Sequence, residues 1–219
     1  MGKPDIIYED NDIIVCYKPA GIATQTRRIG QQDMESFIRN YRAAKNEPPY
    51  VGIVHRLDQP VEGVMVFAKN QKAAASLSRQ IKEHTTEKYY RAASRGHGVS
   101  GADNKEDNHD PAWHTLTDYI SFDKRTNTSK ITSEKDRQAK KAVLQYRILS
   151  NECNKTEFDI KLLTGRHHQI RLQLANIGYP LIGDTKYGGE NVREQLALCS
   201  YKLVFDHPAT GERMTFELP

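Results

Sequence analysis

The residues of this 219-residue chain best suited to chemistry stand within four positions of one another: His55, Arg56 and Asp58, with Val54 before them, Leu57 between them and a Gln59-Pro60 turn signal after them. A carboxylate held in a loop can trap or stabilise positive charge on a reacting carbon, or move a proton. An Asp before Gln-Pro can equally be a turn former whose carboxylate accepts nearby backbone amides, and spacing alone leaves both readings open. Immediately downstream, Val64 to Ala68 is a continuous apolar run of strand length. A polar loop is therefore pinned to a buried strand, the arrangement in which reactive groups are commonly presented.

Two further stretches carry chemistry-bearing side chains. Glu87 to Ala93 has strand character, so Lys88, Tyr90 and Ala92 share one face. A tyrosine there is ordinarily a packed sheet residue. Further on, Leu163-Thr164-Gly165-Arg166-His167-His168-Gln169-Ile170-Arg171 reads as a Thr-Gly turn opening a helix. Ile170, Leu174 and Ile177 share that helix's apolar face, which brings Arg171 out beside the core. An arginine so placed is commonly a snorkelling residue or an ion-pair partner. His97, His109 and His114 fit no metal-ligand spacing and have no cysteine beside them, so no metal is expected.

The elements that must position these residues follow from patterning. Ile6–Tyr8 and Ile13–Cys16 are apolar strands around an acidic turn, and the Lys18-Pro19-Ala20-Gly21 turn follows them. The spacing predicts a short amphipathic helix over Met34–Tyr41, ended by Asn46-Glu47-Pro48-Pro49, and a second helix over 70–81 with Asn70 as its cap. Residues 96–110, polar and Gly-rich, read as loop, as does Tyr119 to Arg137 with Lys124–Lys130 at its middle. Ala139–Leu149 and Thr156–Leu162 alternate as two antiparallel strands joined by a turn over Asn151–Lys155. Leu196 to Pro219 supplies an apolar element and a final hairpin.

Composition bounds the class. With 37% apolar and 27% charged residues the chain is that of a soluble globular protein with a substantial core. No apolar run approaches a membrane span and no signal-peptide core opens the chain, so a cytoplasmic protein is expected. Cys16, Cys153 and Cys199 are odd in number and widely spaced; buried, reduced thiols are expected. The net charge of +4 fits a polyanion partner without requiring one. Basic residues gather at Arg27, Arg28, Arg39, Arg42 and Lys45, and again from Lys124 to Lys141.

His55-Arg56-Leu57-Asp58, followed by Gly63 and an apolar strand, resembles the signature of the RluA family of pseudouridine synthases. Val61-Glu62 stand where the family commonly carries Thr-Ser. Lys18-Pro19-Ala20-Gly21, Lys88-x-Tyr90-x-Ala92 and Thr164-Gly165-Arg166-x-His168-Gln169-Ile170-Arg171 are similar to further motifs of that family, and the likeness runs from about Ile6 to Pro219. The resemblance implies isomerisation of uridine to pseudouridine in ribosomal or transfer RNA, with Asp58, Tyr90 and Arg171 as the catalytic set. Asp58 acts at the ribose anomeric carbon, Tyr90 stacks on the flipped base and Arg171 keeps the carboxylate ionised. Arg56, His55, Lys88, Arg166 and Gln169 are the implied substrate-binding residues, with His55 and Gln169 orienting the motif loops.

The same resemblance implies an α+β pseudouridine synthase fold, a mixed and mainly antiparallel sheet flanked by helices with a central cleft. It further implies one catalytic domain over 1–219 without an amino-terminal RNA-binding domain, no cofactor, structured RNA as partner and no obligate protein partner. Two other function classes are kept beside it: a non-catalytic RNA-binding protein, and a hydrolase that cleaves a nucleotide glycosidic bond and releases free uracil.

Overall fold

In a computed structural model of the chain, residues 4–26, 28, 30–95, 112–188 and 194–219 are described. In chain order the elements are β1 (Asp5–Glu9), β2 (Ile13–Lys18), α1 (Met34–Ala44), β3 (Gly52–Ile53), β4 (Glu62–Ala68), α2 (Gln71–Lys82) and β5 (Glu87–Arg95). They continue as β6 (His114–Asp123), β7 (Thr128–Thr132), β8 (Lys140–Glu152), β9 (Lys155–Leu162), α3 (Gln169–Asn176), β10 (Leu198–Asp206) and β11 (Arg213–Glu217). The chain forms two compact units, Met1–Lys88 with Ser200–Pro219, and Tyr89–Cys199. The expected α+β class holds, with three helices among the described residues.

In the first unit the strand order is β1-β2-β4-β10, with β3 on β4 and β11 on β10. β2 pairs antiparallel with β4, Ile13 opposite Ala68 and Lys18 opposite Gly63. Ile13, Val15, Val64, Val66, Ala68, Leu203 and Phe205 form a core with Ala73 and Leu77 of α2. Ile14, Cys16, Met65 and Phe67, which point the other way, are buried as well. That explains the unbroken apolar runs of β2 and β4, since a strand covered on both faces has no reason to alternate. Asn70 caps α2 by accepting the Ala73 N–H, as its position predicts. α1 opens on a capping box between Asp33 and Ser36.

In the second unit the order is β5-β9-β8-β6-β7, each adjacent pair antiparallel. Tyr90, Ile160, Tyr146 and His114 lie opposite one another along one row. β8 and β9 join through Cys153 and Asn154, both at positive φ (51° and 61°), the geometry of a tight hairpin within the expected turn.

Four expectations are corrected. Tyr119–Asp123 and Thr128–Thr132 are strand, not loop: β6 and β7 form a hairpin in which the polar residues of β7 alternate and Ser129 is buried. The third helix begins at Gln169 rather than at the Thr-Gly turn, because His168 takes a left-handed φ of 53° immediately before it. Cys153 is exposed in the β8–β9 turn, so only Cys16 is a fully buried thiol. Arg42, one of the early basic residues gathered as a fit to a polyanion partner, is buried and donates to the carbonyls of Tyr50 and Lys69 and to Glu47. Residues 96–110 and Arg27, with His97 and His109, lie outside the described residues.

Candidate active site

The structure places the sequence-derived site residues in two sets. Asp58, Arg56, His55 and Lys88 belong to the first unit, and Tyr90, Arg171, Arg166 and Gln169 to the second.

Asp58 is half-buried and opens a turn in which its carbonyl accepts the Val61 N–H at 3.0 Å. The turn delivers the chain into β4, the most thoroughly buried strand of the unit. On its amino-terminal side, the Leu57 side chain is buried and its backbone N–H and C=O both meet the Thr24 hydroxyl, at 3.2 and 2.9 Å. On its carboxyl-terminal side, the Gln59 carbonyl accepts from Gly21 N–H at 2.8 Å and from Lys18 Nζ at 3.2 Å. Asp58 is thus flanked by two residues whose backbones are held by the loop after β2.

Lys18 is fully buried, its ammonium donating to the carbonyls of Pro19, Ile22 and Gln59. Burial pushes its pKa down to about 8, and the negative charges of Asp58 and Glu62 keep it from falling further. A buried cation bonded to the residue after Asp58 was not assigned from sequence; the Lys-Pro-Ala-Gly match pointed to the turn but not to where the ammonium goes. Val61 is buried, and Glu62 accepts a hydrogen bond from Tyr17 Oη at 2.8 Å, so the two residues that depart from the family pattern are both built into the strand entry.

His55 Nε2 accepts the Val66 N–H at 3.1 Å, which requires that nitrogen to be unprotonated. Burial, with the positive charge of Lys88, carries its pKa down to about 3, so the ring is a neutral tether between the motif loop and β4. Lys88 is itself shifted downward by burial. Arg56 is exposed, and its Nη2 donates to Gln25 Oε1 at 2.8 Å.

In the second unit Tyr90 is buried on β5, on the same face as Ala92. Arg171 is buried on α3, and its Nε and Nη2 donate to the two carboxylate oxygens of Asp184 at 2.7 and 2.6 Å. Asp184 has no exposed surface and also accepts the backbone N–H groups of Lys186 and Tyr187. Tyr187 Oη accepts the Ser129 N–H at 2.9 Å and lies 2.8 Å from His168 Nδ1. Burial, and then the charge of Arg171, takes the His168 pKa down to about 3. Asp184 and Tyr187 lie beyond the Thr164–Arg171 motif and carried no role in the sequence reading.

Gln169 is buried and knits that motif together. Its Oε1 accepts from Thr164 Oγ1 and the Arg166 N–H, and its Nε2 donates to Gln173 Oε1. Gln173 in turn donates to Asp118 at 2.6 Å. Arg166 is half-buried, with Nε donating to the Lys141 carbonyl.

Asp10, Asp12 and His207 bring three potential ligand atoms within 4.8 Å of one another. Their hydrogen bonds assign them another task. His207 Nδ1 accepts the N–H groups of Ala209 and Thr210, so Nε2 carries the proton and donates to Asp10, which also accepts from Tyr8 and two turn amides. Asp12 accepts from Asn70. Among the described residues, no helix is long and apolar enough to cross a membrane.

Residues 12–176 match a family profile described as RNA pseudouridylate synthase. The chain is 32% identical over 222 residues to an uncharacterized RNA pseudouridine synthase of Bacillus subtilis (strain 168), covering all of this chain and 69% of that protein. It is 34% identical over 233 residues to the ribosomal large subunit pseudouridine synthase D of Pseudomonas aeruginosa, covering 98% of this chain and 68% of the relative. Among solved structures, human RNA pseudouridylate synthase domain containing 1 superposes with a TM-score of 0.76 at 25% identity, over 99% of this chain and 83% of that one. Human RNA pseudouridylate synthase domain containing 4 gives the same TM-score at 20% identity, over 98% and 88%, a likeness of fold.

Proposed function

The chain belongs to the RNA pseudouridylate synthase family, isomerising uridine in RNA to pseudouridine, and we propose that Asp58 is the carboxylate through which it does so. The observation that carries this reading is the Asp58 turn, held on both sides by the loop after β2, with the buried Lys18 ammonium donating to the carbonyl of the next residue, Gln59. Uridine isomerisation breaks the N1–C1′ bond, rotates the base and joins C5 to C1′; the proton lost from C5 is balanced by one gained at N1. Cleavage develops positive charge on the sugar, which an ionised carboxylate stabilises or captures. A nearby cation opposes the rise in pKa that enclosure imposes on such a group.

The target base must leave its stack, at a cost of roughly a few kcal/mol. Tyr90 is proposed for stacking on the flipped base, with its hydroxyl assisting removal of the C5 proton, and Arg171 for keeping the reacting carboxylate ionised. Arg56, exposed at the motif loop, is proposed to fill the space the base leaves. Lys88 and Arg166 are proposed as contacts to substrate, and His55 and Gln169 as residues that orient the two motif loops. The substrate we propose is structured RNA with a single-stranded or bulged uridine, acted on by one catalytic domain in the cytoplasm. Large-subunit ribosomal RNA is the first class to test, in keeping with the name of the Pseudomonas relative.

The test is incubation of wild type and Asp58→Asn with total ribosomal and transfer RNA, followed by mapping of pseudouridine. Wild type is expected to form it, and the isosteric variant to form none while binding RNA as before. Free uracil in place of pseudouridine would identify a hydrolase, and binding without either product a non-catalytic RNA-binding protein.

A further inference from the structure

We infer that Thr24 is a positioning residue for Asp58: its buried hydroxyl sets the backbone of Leu57 and so the direction in which the next side chain leaves the loop. The inference rests on the reading of Asp58 as the reacting carboxylate.

A threonine hydroxyl has one proton to give and lone pairs to accept with. Thr24 uses both on a single residue, donating to the Leu57 carbonyl at 2.9 Å and accepting the Leu57 N–H at 3.2 Å. The Met65 sulfur, at 3.7 Å, is the weaker acceptor for the same proton. Gripping both backbone groups of one residue restrains rotation on either side of its Cα, which a single hydrogen bond does not. Leu57 has little freedom left, since its own side chain is buried.

Thr24 is in turn fixed to a rigid element. Its carbonyl accepts the Glu35 N–H at 3.2 Å, the Ala23 carbonyl accepts the Met34 N–H at 3.0 Å, and the Thr26 N–H donates to Asp33 at 2.6 Å. The first turn of α1 therefore holds residues 23–26, and Thr24 passes that rigidity to the Asp58 loop. With Gln59 held by Gly21 and Lys18 on the other side, the Asp58 backbone is clamped at both neighbours. Of the two clamps, Thr24 is the one whose removal leaves the charge around Asp58 unchanged.

A displacement of about 1 Å at a reacting group can cost on the order of a hundredfold in rate. Thr24→Val keeps the side-chain shape and removes both hydrogen bonds, whereas Thr24→Ser keeps the hydroxyl and drops the methyl. Turnover per folded molecule at saturating RNA is expected to fall by roughly 10- to 100-fold in Thr24→Val, with KM within about threefold of wild type and Thr24→Ser close to wild type. Should Thr24→Val fail to fold, Thr24→Ala against Thr24→Ser isolates the hydroxyl at a smaller side chain. Lower melting temperature with unchanged turnover per folded molecule, or equal losses in the hydroxyl-bearing and hydroxyl-free variants, overturns the inference while leaving Asp58 in place. Absence of pseudouridine with wild type, or full activity in Asp58→Asn, overturns the reading of Asp58 and the inference with it.

Discussion

Arg171 and Asp184 form a two-point ion pair inside the second unit, Nε to Oδ2 at 2.7 Å and Nη2 to Oδ1 at 2.6 Å, with almost no solvent reaching either side chain. The pair joins α3 to the segment after it, and the backbone amides of Lys186 and Tyr187 complete the carboxylate's coordination. Burial pushes the Asp184 carboxyl up, but the hydrogen bonds and charge of Arg171 bring it below the usual range. Arg171 is therefore a preset guanidinium rather than a mobile side chain.

Removing one partner of a buried pair leaves the other charged and uncompensated. Asp184→Asn, which keeps the shape and removes the charge, is expected to lower the unfolding free energy by about 3 kcal/mol. Urea unfolding at pH 7 measures it, and a change below about 1 kcal/mol would show that the pair is solvated in a way its geometry denies.

His55 offers a prediction in pH. Its folded pKa of about 3 lies below the ordinary 6.5, through burial first and the charge of Lys88 second, so between those values the unfolded chain binds a proton that the folded chain does not. The stability associated with the neutral ring is complete above pH 6.5 and is lost as pH falls toward 3. The imidazole resonance of His55 is expected to stay flat from pH 8 to about pH 4 in an NMR titration. A midpoint near 6 would mean that Nε2 does not accept from Val66. His55→Ala leaves that amide without its acceptor, at an expected cost of about 1–3 kcal/mol.

Gly63 is required where β4 runs beside β10. Its φ is +138°, and a Cβ placed on it would stand 2.3 Å from the Ser200 carbonyl oxygen and 2.6 Å from the Ser200 Cβ. Gly63→Ala adds backbone strain to a clash that only a shift of backbone relieves, an expected loss of about 3 kcal/mol or more. The shift would reach the Asp58 turn five residues earlier. Thermal melting of the purified variant, with its yield of soluble protein, decides the matter; a melting temperature equal to that of wild type would refute the close approach.

What patterning revealed and what it hid follow the range of the forces involved. β2, β4 and both capped helices were legible because apolar burial and capping act on near neighbours. Strand β7 was not, since its Thr-Ser-Lys-Ile-Thr run is polar and its inward Ser129 is satisfied by His167 instead of by an apolar face. The start of α3 was misplaced because Gln169 stitches Thr164 and Arg166 into a loop before the helix begins, a side-chain choice with no periodic signature.

The sequence by itself determined the motif loops, their order and the family to which they answer, because those are properties of contiguous residues and of the strands and helices that short-range physics builds from them. Only the tertiary structure decided that Lys18 turns its ammonium inward onto the Gln59 carbonyl, that Thr24 holds Leu57 from 33 residues away, and that Arg171 is locked by Asp184. Each is a hydrogen bond or charge contact between residues distant along the chain. Its energy depends on distance and on exclusion of water, and neither is set until the surrounding core has closed.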